Sequence, residues 1–467
     1  MKRKTTTVIA IILLALILLL GGSFLGLLIY LDSDDSLVGV LNVLSEVFKS
    51  DVINAVIIFW VLLMPVLLVI FVVFGLMRRK RHKKVTEKWE QGVKIAIEAE
   101  AAAYRKQLQS RDGNRFTVTD NSAYISNTKY YGKINSIQDL CIAFRNFMAG
   151  NMNLYFSMSD VYEFISGLAV SKILIIQGLS GAGKTSLAYA FGEFLGNPST
   201  VIPVQPIWKE RADLLGYYNE FTKKFNETQL FKKMYEAGNS NKIYITVLDE
   251  MNIARIEYYF AEFLSLLEIP NPELRYLEVI PDKWENDPKN LKDGRLKLPE
   301  NMWFIGTVNN DDSAFAISDK VYDRAMSVVL DNKVQPFDAD KQDINPITFE
   351  KFQNLVKKAH AEFSMCKQSE DCLQMLDNYL VENLEITFGN RILKQIRSYV
   401  SLYMACGGKE LDALDDILSK KVLRKLEYKE VPKVRDEIDG LIDFLNKTFG
   451  EYKLKRCVKY LSGLIKA

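Results

Sequence analysis

Histidine is nearly missing from this 467-residue chain: only His82 and His360 occur, too few and too isolated for a typical zinc site. Cysteine is sparse too. Cys141, Cys366, Cys372, Cys406 and Cys457 are odd in number and form no Cys-x-x-Cys pair. That excludes a regular disulfide framework and reads as packing thiols in a reducing compartment. An excess of one charge is also lacking, with 60 Lys and Arg against 58 Asp and Glu. The balance gives no support for direct nucleic-acid binding, although a local basic patch is compatible with it.

Charge disappears altogether in two stretches. Thr5 to Leu31 carries none, and neither does Val52 to Met77. Both exceed the roughly 20 residues that a helix needs to cross hydrocarbon. Buried core helices rarely run so long without a charge. Pro65 interrupts the second run, which membrane helices tolerate. Lys2, Arg3 and Lys4 precede the first run, and Arg78, Arg79, Lys80, Arg81, Lys83 and Lys84 follow the second. The loop between them holds Asp32, Asp34, Asp35, Glu46 and Asp51 against Lys49. The positive-inside rule then places both ends in the cytoplasm. A cleaved signal peptide is the competing reading of residues 1–31, but no clear Ala-x-Ala site is present. The expected location is the inner (cytoplasmic) membrane, multi-pass, with the lipid bilayer as a partner and the large domain in the cytoplasm.

After the second run, Thr86 to about Ser110 is rich in Lys, Glu and Ala and reads as a helical stalk. Residues 111–135 look like a linker or a small irregular element, and the compact domain is expected to begin near Ile137. Ser157 to Ser171 reads as a capped helix leading into a strand.

The chemistry begins at KILIIQGLSGAGKT, residues 172–185. A buried strand, Ile173 to Gln177, runs into Gly178-x4-Gly183-Lys184-Thr185, and a helix-forming segment follows. This is the Walker A pattern in its strand–loop–helix context. Backbone N–H groups of Gly178, Ser180, Gly181, Ala182, Gly183 and Ser186 are candidates to wrap phosphate oxygens. Lys184 can reach the β and γ phosphates, and Thr185 can hold Mg²⁺. A second apolar strand, Ile243 to Leu248, ends in Asp249-Glu250. Asp249 would support the metal, and Glu250 would orient or deprotonate the attacking water. A third strand ends at Met302–Asn309 and offers Thr307, Asn309 and Asn310 at its tip. Arg255 to Glu268 reads as one amphipathic helix. Arg324 suits a neighbour's γ phosphate, with a solvated surface arginine as the alternative. Arg391 stands in the first turn of a helix starting near Asn390, and a lone arginine there says little by itself. The charged insert Pro270–Glu300, with Trp284, is either a hairpin touching a partner or a solvated loop. Leu215-Gly216-Tyr217-Tyr218 faces either a central pore or another subunit.

Several of these segments resemble AAA+ ATPases, and among them the McrB-like branch, related to MoxR-type and dynein-type modules. The resemblance covers about residues 157–467. It rests on GLSGAGKTSL (178–187), the segment Ile202–Asn219, LDEMNIARIEYYFAEFLSLLE (248–268), NMWFIGTVNNDDSAFAISDKVYDRA (301–325), FGNRILKQI (388–396) and ILSKKVLRKLE (417–427). It implies phosphate and Mg²⁺ ligation by Lys184, Thr185 and Asp249, a catalytic carboxylate at Glu250 and a sensor at Asn309. It also implies a trans-acting finger at Arg324 and a nucleotide contact from Arg391. The implied assembly is a ring, usually a hexamer, with a partner that receives the motion.

Two departures stand out. The Met-Asn-x-x-Asp signature of the GTP-using branch appears as Val308-Asn309-Asn310-Asp311-Asp312. The base is therefore open between ATP, which the wider family favours, and GTP. No DNA-reading domain accompanies the motor, and no nuclease cluster is evident. The expected architecture is α/β: a P-loop AAA+ parallel sheet flanked by helices, with a C-terminal helical lid, preceded by two transmembrane helices. Its parts are the membrane hairpin over 1–84 (about 5–31 and 52–77), stalk and linker over 85–136, the nucleotide-binding domain over 137–335 and the helical region over 336–467. The leading function is an ATP-hydrolysing ring that activates a separate effector, plausibly in antiviral defence. A MoxR-like chaperone for a membrane or metal-containing complex and a nucleotide-dependent scaffold are the alternatives.

Overall fold

The computed structural model describes residues 115–118, 120, 134–309, 314–331, 333–428 and 431–466. All lie in the unit spanning Gln109–Ala467. The two apolar runs and the stalk lie outside the described residues. Among the described residues no helix is long and apolar enough to cross a membrane.

Two capped helices open the fold, α1 (Ile137–Met152) and α2 (Met158–Val170). Each begins with a reciprocal capping box: Ser136 with Asp139, and Ser157 with Asp160. Strand β1 (Ile173–Gly178) and helix α3 (Lys184–Phe194) follow, then β2 (Thr200–Pro203), α4 (Arg211–Leu215) and a hairpin of β3 (Gly216–Asn219) and β4 (Lys224–Glu227). Next come α5 (Gln229–Ala237), β5 (Tyr244–Asp249), α6 (Ile256–Tyr259) and α7 (Ala261–Glu268). An insert carries β6 (Tyr276–Glu278), β7 (Leu291–Lys292) and β8 (Arg295–Lys297). The core then closes with β9 (Met302–Val308), α8 (Asp319–Tyr322) and β10 (Met326–Leu330). Helices α9 (Phe349–Glu362), α10 (Lys367–Leu384), α11 (Asn390–Ala405), α12 (Glu410–Ile417), α13 (Val431–Phe449) and α14 (Lys455–Lys466) complete the chain. Between α12 and α13 lies a π turn, Leu418–Val422, continued by a 3-10 stretch.

Five strands form one sheet in the order β10-β1-β9-β5-β2, and every pairing is parallel. Parallel central strands are covered on both faces, which is why β1, β5 and β9 read as near-continuous apolar runs. Alternate residues supply two separate cores. Leu174, Ile176, Ile245, Val247, Ile305 and Val328 join α1, α2, α3 and the C-terminal helices. Ile173, Ile175, Leu248, Phe304 and Val308 join α5, α7, the hairpin and the insert. The C-terminal helices thus share a continuous core with one face of the sheet.

The helix expected over Arg255–Glu268 is two helices broken at Phe260, whose backbone leaves the helical region at φ −112°, ψ 1°. The break turns the Phe260 ring into the core, 5.0 Å from Phe263 and 5.3 Å from Phe304. With neither Gly nor Pro nearby, the sequence carries no sign of it.

Within the stretch expected as a linker or a small irregular element, residues 115–118 and 120 pack against the rest of the fold. Arg115, 2 % exposed, donates to Asp282 at 2.9 Å and Asp287 at 3.0 Å, and its guanidinium lies 4.1 Å from the Trp284 ring. Phe116 packs against Phe225 and Phe231, and the Arg115 carbonyl accepts from Phe225 N–H at 2.9 Å. The Asp120 carboxylate takes the Tyr235 hydroxyl and the Lys289 N–H. Trp284 is therefore buried beneath this segment, in a loop whose Lys283, Glu285 and Asn286 are exposed.

Removing Arg115 leaves Asp287, whose side chain is 3 % exposed, as a buried charge without its counter-ion. Arg115→Ala is expected to destabilise the chain by about 3–5 kcal/mol, read as a lowered urea or thermal midpoint. An unchanged midpoint refutes the assignment.

Candidate nucleotide site

The parallel strands deliver their C-terminal ends to one edge of the sheet, where ligands of such folds bind. Because β9 lies between β1 and β5, the loop after β1, the Asp249-Glu250 pair and Asn309 come to that edge together. Gly178 opens the loop at φ 153°, and a Cβ there would sit 2.6 Å from the Leu330 carbonyl oxygen. Gly183, at φ 85°, is the N-cap of α3. Both positions are ones that only glycine fills without strain. The loop thus curls into the first turn of α3, whose free N–H groups and dipole favour an anion.

Lys184 is buried, and its Nζ donates to the carbonyls of Gly178 and Leu179 at 2.9 Å each. One oxygen of Asp249 organises the rest. Asp249 Oδ1 accepts from Thr185 Oγ1 at 2.6 Å and from Thr307 Oγ1 at 2.7 Å. Thr307 in turn accepts the backbone N–H of Glu250 at 2.9 Å. Thr307, which the sequence offered only as one of three polar tip residues, therefore bridges both acidic residues. Glu250 has left-handed backbone, φ 54° and ψ 48°, and an exposed side chain. Such a conformation is costly for a non-glycine residue and marks functional positions. Asn309 is half-buried, and its carbonyl accepts from Asn252 at 3.2 Å. Ser180, Gly181, Ala182 and Ser186 lie in the loop and the first turn of α3. Asn310, Asp311 and Asp312 are outside the described residues.

A hydroxyl and a carboxylate oxygen 2.6 Å apart are hard oxygen donors. Mg²⁺ takes such oxygens while keeping several waters, so Thr185 and Asp249 suit it. Three or more clustered His, Cys, Asp or Glu are not found among the described residues, and a phosphate-bridged Mg²⁺ does not need them.

Arg324 and Arg391 lie elsewhere. Arg324 precedes β10, whose Met326 pairs with Leu174 at the start of β1. The five residues of β10 separate it from the loop edge by about 16 Å at 3.3 Å per residue. Arg391 stands beside it, bonded to Glu268 and, at 3.2 Å, to Asp323. Glu268 also takes Arg324 Nε at 2.9 Å. Arg391, to which the resemblance gives a nucleotide contact, thus lies at the edge opposite the loop, where α11 packs on α2. A cleft of about 570 Å³ opens there, lined by Lys172, Arg275, Arg324 and Arg391 against Glu268 and Glu300.

Lys421, in the π turn, fixes this edge from below. Its Nζ donates to the carbonyls of Tyr322 (2.8 Å) and Asp323 (3.2 Å) and to Gln395 Oε1 (3.0 Å). Burial lowers its ammonium to about 7, with Asp323 pulling upward and Arg391 and Lys425 pushing down. Burial likewise pushes Lys172 well below the ordinary lysine range, opposed by Glu300.

The sequence comparisons agree with this geometry. Residues 173–325 match the family model of the AAA domain (dynein-related subfamily), and residues 340–467 match a domain of unknown function, DUF8727. A curated relative is the type IV methyl-directed restriction enzyme EcoKMcrB subunit of Escherichia coli (strain K12), 26% identical over 239 residues. That match covers 48% of this chain and 47% of the relative, so the chain spans about half of the relative's length. Solved structures with a distant likeness include a protein from Cytophaga hutchinsonii described as an ATPase, at TM-score 0.41 and 12% identity over 72% of this chain and 96% of that one. Another is a full-length MCM homolog from Methanopyrus kandleri, at TM-score 0.34 and 8% identity over 60% and 58%.

The buried Lys421 gives a signed pH dependence. Its folded value lies below the unfolded one, so between about 7 and 10.5 the unfolded chain holds the extra proton and stability rises with pH. The urea midpoint of the wild type relative to Lys421→Met is expected to increase from pH 7 to 10. A difference that stays flat or falls contradicts the assignment.

The family match, the parallel sheet and the loop geometry together support an AAA+ ATPase module of the McrB-like and MoxR-like type over residues 173–325.

Proposed function

We propose that the chain is a membrane-anchored, ring-forming AAA+ ATPase that remodels or activates a separate effector protein from the cytoplasmic face of the inner membrane. One observation carries the ring. The phosphate-binding loop lies at one edge of the sheet, and Arg324 and Arg391 lie at the other. A site using both therefore takes its arginines from a second copy. Such head-to-tail contacts close into rings, and a hexamer is the expected size. The three arginines of the cleft, Arg275, Arg324 and Arg391, against two carboxylates suit a neighbour's triphosphate.

In this reading water attacks the γ phosphate in line, giving the diphosphate and inorganic phosphate. Glu250 orients the water and takes its proton, while Asn309 senses the γ phosphate. Lys184 exchanges its two carbonyl partners for phosphate oxygens. Thr185 and Asp249 would hold Mg²⁺, which would supply positive charge to offset that of the phosphates. Arg324 and Arg391 of the neighbour stabilise the charge developing in the transition state. ATP is the proposed nucleotide, with GTP as the alternative. The membrane anchor rests on the two uncharged runs and their basic flanks. The likeness to a restriction-enzyme subunit supports a role in antiviral defence, through an effector encoded separately. Direct nucleic-acid binding is not part of the proposal.

Glu250→Gln is expected to bind ATP with turnover reduced at least about 100-fold, and Arg324→Ala to lose turnover while nucleotide affinity holds. Steady-state hydrolysis and equilibrium binding of ATP and GTP check both. Absence of hydrolysis of either nucleotide by the assembled wild type ends the motor reading.

A further inference from the structure

Glu268 stands out at the arginine edge. It is the last residue of α7, where a carboxylate meets the negative end of the helix dipole and is disfavoured. Two guanidiniums offset that cost. Arg324 reaches it from the turn before β10, and Arg391 from the first turn of α11. The mode of contact matters. Glu268 takes Arg324 through Nε at 2.9 Å, and that bond uses neither terminal nitrogen of the fork. A guanidinium is planar, so fixing Nε fixes the direction in which the terminal nitrogens project. The backbone beneath is held as well. Ser171 Oγ donates to the Arg324 carbonyl at 2.9 Å, and Lys421 grips the carbonyls of residues 322 and 323. The side-chain torsions of Arg324 are what Glu268 restrains. Without a shared carboxylate, two like charges in one cleft would also repel.

We infer that Glu268 is a positioning residue for hydrolysis in the neighbouring subunit, aiming Arg324 and yoking it to Arg391. The inference rests on the trans-site reading above. An ordinary surface ion pair of this exposure would contribute little and would leave the rate unchanged.

Glu268→Ala is expected to lower kcat about 10- to 100-fold with KM for ATP near the wild-type value. Glu268→Gln keeps the acceptor oxygen and is expected to recover most of the rate. Mixing locates the effect. Subunits carrying Lys184→Ala have a dead pocket and an intact arginine face, so they are expected to restore hydrolysis to Arg324→Ala subunits. The same donors carrying Glu268→Ala as well are expected not to restore it. If Glu268→Ala fails to fold, Glu268→Asp, which withdraws the acceptor by one methylene, decides by the same kcat reading. A full rate in Arg324→Ala defeats the trans-site reading itself. Loss in Arg324→Ala with a normal rate in the Glu268 variant, or rescue by the doubly substituted donor, defeats this inference alone.

Discussion

The common direction of the five strands is the constraint from which the site follows. Parallel pairing brings the ends of β1, β5 and β9 to one edge and their beginnings to the other. The first edge receives the loop, the acidic pair and Asn309. A single oxygen, Asp249 Oδ1, then ties Thr185 on the helix after the loop to Thr307 on the intervening strand. The polar chemistry is cross-braced by hydroxyls, and the strands that carry it are immobilised by two cores, one on each face. Side chains held this way need little rearrangement when charge develops, which is the main source of catalysis in phosphoryl transfer.

The C-terminal helices do more than cover the sheet. Lys420 and Arg456 meet Glu163 and Asp416 in a buried cluster that joins α12, the π turn and α14 to α2. Tyr399 adds its hydroxyl to Asp416 at 2.6 Å. The π turn places Lys420 and Lys421 in succession, one facing this cluster and the other the segment before β10. A π turn is rare and often marks a functional position. Here it lets adjacent lysines serve two different contacts, so the placement of the C-terminal helices and of the arginine edge are fixed by neighbouring residues.

The sequence was most legible where function depends on local pattern. The strand–loop–helix around Gly178–Thr185, the strand ending in Asp249 and the strand before Asn309 all read correctly, because buried parallel strands are apolar runs and glycine marks the loop. The cap at Ser157 is likewise a short-range signal. What escaped was set by tertiary contacts. The α11 helix was readable, but the edge to which it brings Arg391 depends on its packing against α2. Arg115 and Asp287 are far apart in sequence, and nothing near either announces the other. Phe260 breaks its helix for a ring contact with β9 that no local rule encodes.

The clasp around Arg115 also decides where tension enters this part of the molecule. Residues 115–118 grip the insert, the β3–β4 hairpin and α5, with no hydrogen bond to the central sheet among the described residues. A pull on the chain preceding Arg115 is met first by two aspartates, an indole and a hairpin backbone bond, loaded side by side. The strands that carry the nucleotide loop lie behind that fastening. A force applied at Arg115 loads the hairpin and the insert before it loads those strands.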